Sequence, residues 1–121
     1  MEKLVDTFIQ TVNAFDVEGA LLLFKSDAVI EDISVGDAFV GTDGIRLYLK
    51  QFFVGYKTAS KLLSLKQLDD FAAIARVDFT GDFGHEVGSL WIKISADGLI
   101  EHIEADLETR TEHTKLRLQE R

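Results

Sequence analysis

Apolar residues recur at helical spacing in EKLVDTFIQTVNAF, where Leu4, Val5, Phe8, Ile9, Val12 and Phe15 fall on one side. The spacing predicts an amphipathic helix. Asp16 then stands where a cap would start a second, short helix, VEGALLLFK, whose Leu21–Phe24 run is apolar nearly all round and predicts deep burial. AVIEDI reads as a strand, and VGDAFVG as a turn and short strand punctuated by Gly36 and Gly41. Thr42 is placed to cap a third helix, DGIRLYLKQFF, with Ile45, Tyr48, Leu49, Phe52 and Phe53 on its buried side and Arg46 and Lys50 outside.

After Gly55 the period changes. Strand-like segments cover about 57–68, 71–80, 86–95 and 99–107, separated by Asp69-Asp70, GDFG and ADG. RVDFTGDF alternates, with Arg76, Asp78, Thr80 and Asp82 on one face and Val77, Phe79 and Phe83 on the other. Helices followed by antiparallel strands make an α+β domain. The domain is expected to span 1–107, with a polar tail over 108–121.

Composition narrows the function classes. The chain has 121 residues, 46% of them hydrophobic, which suits one globular domain. It has no cysteine, so disulfides and thiolate chemistry are excluded. The net charge is −8, and the residues before the tail carry 18 acids against 9 bases. Such a body repels phosphate backbones and anionic lipid, so neither nucleic acid nor membrane is an expected partner. A small neutral or apolar molecule suits it better. The opening MEKLVDTFIQ lacks the basic-then-apolar pattern of a secretory signal, and a cytoplasmic location is expected.

Candidate chemistry concentrates on Glu31 and Asp32 in the first strand. Neighbours on a strand point to opposite faces, so only one of the two can face inward. Asp32 alternates with Ile30 and Ala28, Glu31 with Val29 and Ile33, and periodicity alone does not choose between them. Asp32 also has a purely structural reading, as the residue that caps the turn in DISVG.

Three stretches, FIQTVNAFDVEGALLLFKSDAVIEDISVG, FVGTDGIRLYLKQFF and WIKISADGLIEHIEADL, resemble the NTF2-like superfamily over roughly residues 4–107, in particular its SnoaL-like and ketosteroid-isomerase-like branch. The resemblance implies a cystatin-like cone, in which a strongly bent antiparallel sheet wraps three helices around an apolar pocket. It also implies a homodimer through the convex sheet face. Asp32 falls at the general-base aspartate of the isomerases, which makes it the candidate catalytic acid/base. The pocket is then expected to be lined by Phe8, Val12, Ile30, Leu49, Phe53, Leu90 and Ile92. Alternation puts Trp91 on the convex face, and His102 is expected there too, both at the dimer interface.

Departures from the family pattern argue against authentic steroid isomerase activity. The polar groups that would support an enolate fall at Phe8, Leu49 and Leu90, all apolar here. Loss of one such donor typically removes ~2.7–4 kcal/mol of transition-state stabilisation. Tyr48 is the first candidate substitute donor, with Tyr56 and Ser89 behind it. Arg76-Val77-Asp78 resembles the Arg-x-Asp element of limonene-epoxide-hydrolase-like proteins. The third acid of that set would fall near Ala105, and Asp106 is one position off. The alternative for Arg76 and Asp78 is a solvated polar stripe. His85-Glu86 and His102-x-Glu104 lack metal-ligand spacing, so no metal and no cofactor is expected. The expected function is therefore binding of a small apolar or neutral ligand, with isomerase, dehydratase or cyclase chemistry at Asp32. The alternatives are a non-catalytic binding module and a dimerisation scaffold whose cone is filled by side chains.

Overall fold

A computed structural model describes residues 1–108. The expected tail from 109 onward lies outside the described residues. Helix α1 spans Glu2–Asn13 and α2 Val17–Leu21. Strands β1 (Phe24–Asp32) and β2 (Asp37–Val40) precede helix α3 (Gly41–Leu49), which continues as a π-helical turn over Lys50–Val54. Strands β3 (Ala59–Asp69), β4 (Ala72–Gly81), β5 (Gly84–Ile94) and β6 (Ile100–Leu107) complete the chain. The six strands form one curled, unclosed sheet in the order β2-β1-β6-β5-β4-β3. Every neighbouring pair is antiparallel except β1 and β6, which run parallel.

Alternation sorts the sheet into two faces. Ile30 pairs with Ile103 and Asp32 with Ala105, while Leu90 pairs with Ala105 and Ala75, and Ile92 with Ile103 and Ala73. These side chains share the concave face and are buried with Val5, Phe8, Ile9 and Val12 of α1 and Ile45, Tyr48 and Leu49 of α3. Each fully buried aliphatic side chain contributes about 1.5–3 kcal/mol. The convex face carries the intervening residues, among them Glu31, Arg76, Trp91, His102 and Glu104.

Several local expectations differ from the structure. The second helix stops at Leu21, and Leu22 is 78% exposed rather than buried. The cause is tertiary. Ile100 donates its backbone N–H to the Leu23 carbonyl at 2.8 Å, and Phe24 pairs with Ile100, so β6 claims these residues for the sheet. The cap on Asp16 forms as expected, its carboxylate accepting the Gly19 N–H at 3.0 Å. Helix α3 begins at Gly41, not after Thr42, so Thr42 lies within the first turn and makes no cap.

Phe15 leaves the apolar side of α1 and is exposed, at φ +59°. The helix ends two residues earlier, in a turn closed by the Asp16 N–H on the Thr11 carbonyl (3.0 Å) and the Phe15 N–H on the Val12 carbonyl (3.1 Å), and the Asn13 side chain is engaged by β3. Its amide donates to the Ser60 carbonyl at 2.8 Å and its oxygen accepts the Ser60 N–H at 2.6 Å. Asn13 therefore mimics a strand partner and pins α1 to the start of β3.

Candidate functional site

The first strand ends in a turn that gives Asp32 its surroundings. The Asp32 carbonyl accepts the N–H groups of Val35 (3.1 Å) and Gly36 (2.8 Å), and Gly36 closes the turn at φ +79°, a conformation glycine adopts without strain. The Asp32 side chain then reaches back. Oδ1 accepts from the Ser34 N–H (3.0 Å), the Ser34 hydroxyl and the Val35 N–H (3.3 Å). Oδ2 accepts from the Tyr48 hydroxyl at 2.6 Å. The turn-capping reading and the inward-facing reading therefore hold together, one on each oxygen. Asp32 is only 6% exposed. Its neighbour Glu31 points the other way, to His102 Nε2 at 2.7 Å.

Asp32 and Tyr48 form the polar floor of a cavity of about 280 Å³. The wall on the α3 side is aromatic. Tyr48, Phe52 and Tyr56 follow one another four residues apart, with ring centroids 5.0 Å and 6.0 Å apart, and Phe83 extends the row at 5.8 Å from Tyr56. The π-helical turn places this row. Its Gly55 N–H bonds to the Lys50 carbonyl at 2.8 Å, and a Cβ on Gly55 would lie 2.6 Å from the Gln51 carbonyl oxygen. Thr58 closes the segment by donating its hydroxyl to the Phe52 carbonyl at 2.7 Å. The opposite wall is made by Phe8, Ile30, Phe53, Phe79, Leu90 and Ile103.

The floor's electrostatics follow from this enclosure. Burial pushes the Tyr48 hydroxyl well above the ordinary tyrosine value of 10.0, and the charge of Asp32 and its hydrogen bond add to the shift. Tyr48 thus keeps its proton and donates a hydrogen bond through it to Asp32. The hydrogen bonds to the Asp32 side chain come from the Ser34 and Val35 amides and the Ser34 and Tyr48 hydroxyls, so the group serves as an acceptor. Ser34 and Thr58 likewise spend their hydroxyl protons inside the protein. The floor consequently offers lone pairs to a guest, on Asp32 Oδ2 and the Tyr48 oxygen, rather than protons.

Of the residues expected in the pocket, Phe8, Ile30, Phe53 and Leu90 line this cavity beside Asp32 and Tyr48. Val12 and Leu49 instead border a separate small space with Phe15 and Val17, and Ile92 is core beyond the cavity. These three sit farther toward the packed end of the cone, where α1 and α3 fill the concave face. Arg76 and Asp78 do not line the cavity. They alternate with the fully buried Ala75 and Val77, which sends them to the convex face, where Arg76 pairs with both oxygens of Glu108 (2.8 Å each) and Asp78 with His85 (2.7 Å). That placement removes the Arg-x-Asp reading from the cavity. Trp91 and His102 lie together on the convex face, their rings edge to face at 5.7 Å. Among the described residues no cluster of three His, Asp or Glu is arranged to hold a metal ion, and no helix is long and apolar enough to cross a membrane.

Phe79 and Phe83 join the lining from the apolar face of RVDFTGDF, Phe83 from the turn between β4 and β5. Ser34, Val35, Thr58 and Glu86 also line the cavity and were not expected there. The repeat of aromatic residues at 48, 52 and 56 was the available signal for the wall.

No family model matches the sequence, and no curated protein does. Solved structures match well in shape. An NTF2-like protein of unknown function from Cytophaga hutchinsonii superposes with a TM-score of 0.75 at 12% identity, over 93% of each chain. SalBIII, an epoxide hydrolase/cyclase-like enzyme of pyran ring formation in salinomycin, gives 0.78 at 18% identity over 88% of each chain. A Mycobacterium tuberculosis protein in complex with estradiol-17beta-hemisuccinate gives 0.75 at 17% identity, over 84% of this chain and 88% of the other. The chain has the NTF2-like, cystatin-like α+β fold.

Proposed function

We propose that the protein binds a small, mostly apolar molecule in the cone, and that the molecule presents a hydrogen-bond donor to Asp32. The observation that carries this reading is the acceptor-only floor at the end of an aromatic hollow. Apolar walls with a few convergent polar groups are the usual design of a small-ligand site. The M. tuberculosis neighbour, solved with a steroid ester, lends the fold's capacity for such guests. Enolate chemistry of the steroid-isomerase kind fits poorly, because it needs donors where Phe8, Leu49 and Leu90 stand.

Titration with 1-adamantanol followed by amide NMR tests the reading. Saturable shifts at Phe8, Ile30 and Leu90, lost in Leu90→Trp, are expected. An absence of saturable binding up to millimolar concentration overturns it.

A second reading, acid/base catalysis by Asp32, is favoured by its place in the lining of an apolar cavity, with Oδ2 accepting from Tyr48. Its test is solvent-deuterium exchange into a bound ketone. Exchange no faster than in Asp32→Asn removes it. The reading of the convex face as a homodimer surface around Trp91 and His102 is tested by sedimentation of Trp91→Glu. Loss of a wild-type dimer supports it, and a wild-type monomer ends it.

A further inference from the structure

We propose that the cavity selects a hydrophobic cation, a protonated amine, seated with its ammonium on Asp32 Oδ2 and its apolar body along Tyr48, Phe52 and Tyr56. The inference rests on the binding reading above and names the class of guest.

Three features converge on it. First, the floor carries a negative charge that the protein balances only with neutral donors, namely the Ser34 and Val35 amides and the Ser34 and Tyr48 hydroxyls. A carboxylate in an apolar enclosure gains most from a partner of opposite charge, and folding has already removed its water. Oδ2 has one protein donor, which leaves a lone-pair direction for an N–H⁺. An alcohol can use the same direction, but with one neutral donor.

Second, the wall is aromatic. A cation within about 6 Å of an aromatic centroid is attracted by the ring quadrupole, more so where water is excluded. The Tyr48–Phe52–Tyr56 row runs from the buried floor to the half-exposed mouth, so an ammonium passes three aromatic rings on its way in.

Third, the charges are of one sign. On the concave face the charged residues that line the cavity are Asp32 and Glu86, and the described lining holds no lysine, arginine or histidine. The chain as a whole carries −8, which draws cations toward it and repels carboxylates.

The test compares three guests of one skeleton, 1-adamantanamine, 1-adamantanol and 1-adamantanecarboxylate, with the full chain at pH 7. The amine is expected to bind about tenfold tighter than the alcohol, and the carboxylate to give no saturable binding. Asp32→Asn should lower the ratio of amine to alcohol affinity to about one. Glu104→Gln, which removes the same charge from the convex face, should leave that ratio unchanged. Should Asp32→Asn fail to fold, Glu86→Gln gives the second arm, with a two- to threefold weakening of the amine alone. An alcohol that binds as tightly as the amine overturns the cation inference while the binding reading stands. So does a ratio that persists in folded Asp32→Asn, or one that moves equally in Glu104→Gln. If neither amine nor alcohol binds, both readings fall.

Discussion

Glu31 and Asp32 are adjacent acids on the same strand, and the two faces of the sheet make different groups of them. On the convex side Glu31 meets His102, Arg76 meets Glu108, Asp78 meets His85 and Lys93 meets Glu101. Acids there meet basic or imidazole side chains and are at least partly open to water. On the concave side Asp32 has neutral donors and an aromatic hollow. The exposed pairs shield one another and are worth little to the fold. The buried acid is sustained by the bonds of its own turn and by one from Tyr48 on α3, and it lines the cavity.

The largest break in this contrast should come from the apolar residues beside the acids. Ile30→Ala on the concave face is expected to destabilise by about 2–5 kcal/mol, because Ile30 is buried between Phe39 and Ile103. Val29→Ala, one residue away on the half-exposed convex face, should cost less than about 1.5 kcal/mol. Urea unfolding of the two variants measures the difference directly. Equal losses would mean that the faces are not distinguished by packing.

The acids themselves come next. Asp32→Ala strands the Tyr48 hydroxyl and uncaps the 32–36 turn, with an expected loss of about 1–3 kcal/mol. Glu31→Ala should stay within about 1 kcal/mol. The same unfolding curves read both.

The smallest effect sharpens the comparison through pH. Tyr48 is held protonated in the folded state, so the stability it contributes is complete below its unfolded value near 10 and is lost as pH climbs through the higher folded value. Wild-type urea midpoints should therefore fall between pH 9 and 11 more steeply than those of Tyr48→Phe. At neutral pH the Phe variant should lose only about 0.5–1.5 kcal/mol. Parallel midpoint curves for the two proteins would remove Asp32–Tyr48 as the source.

Much of this arrangement was legible in the chain. The helical stripe of Val5, Phe8, Ile9 and Val12 and the alternation around Val77 are local patterns, and local patterns mark buried faces. Periodicity failed at Asp32 because Val29 and Ile33 are as apolar as Ala28 and Ile30. The resemblance supplied the inward face that the pattern did not. It overreached at Val12, Leu49 and Ile92, since a face pattern tells which side is inside but not how deep the packing extends. The Tyr48 bond spans sixteen residues and depends on how α3 crosses β1, which no local pattern encodes. The early end of the second helix within LLLF, where Phe24 starts β1, had the same kind of cause, a partner strand some 75 residues away in the chain.

The parallel pairing of β1 with β6 has a consequence for biosynthesis. Asp32 acquires Ala105 as its strand neighbour, and Ile33 donates to the Ala105 carbonyl, only once the last strand exists. Loop closure over such a distance is slow and comes late. On the ribosome, the helices and the β3–β5 meander can assemble while the acid still lacks half its shelter. The hollow thus becomes competent only after β6 has been made, and a chain halted before residue 100 would carry every aromatic of the wall and no finished floor to bind against.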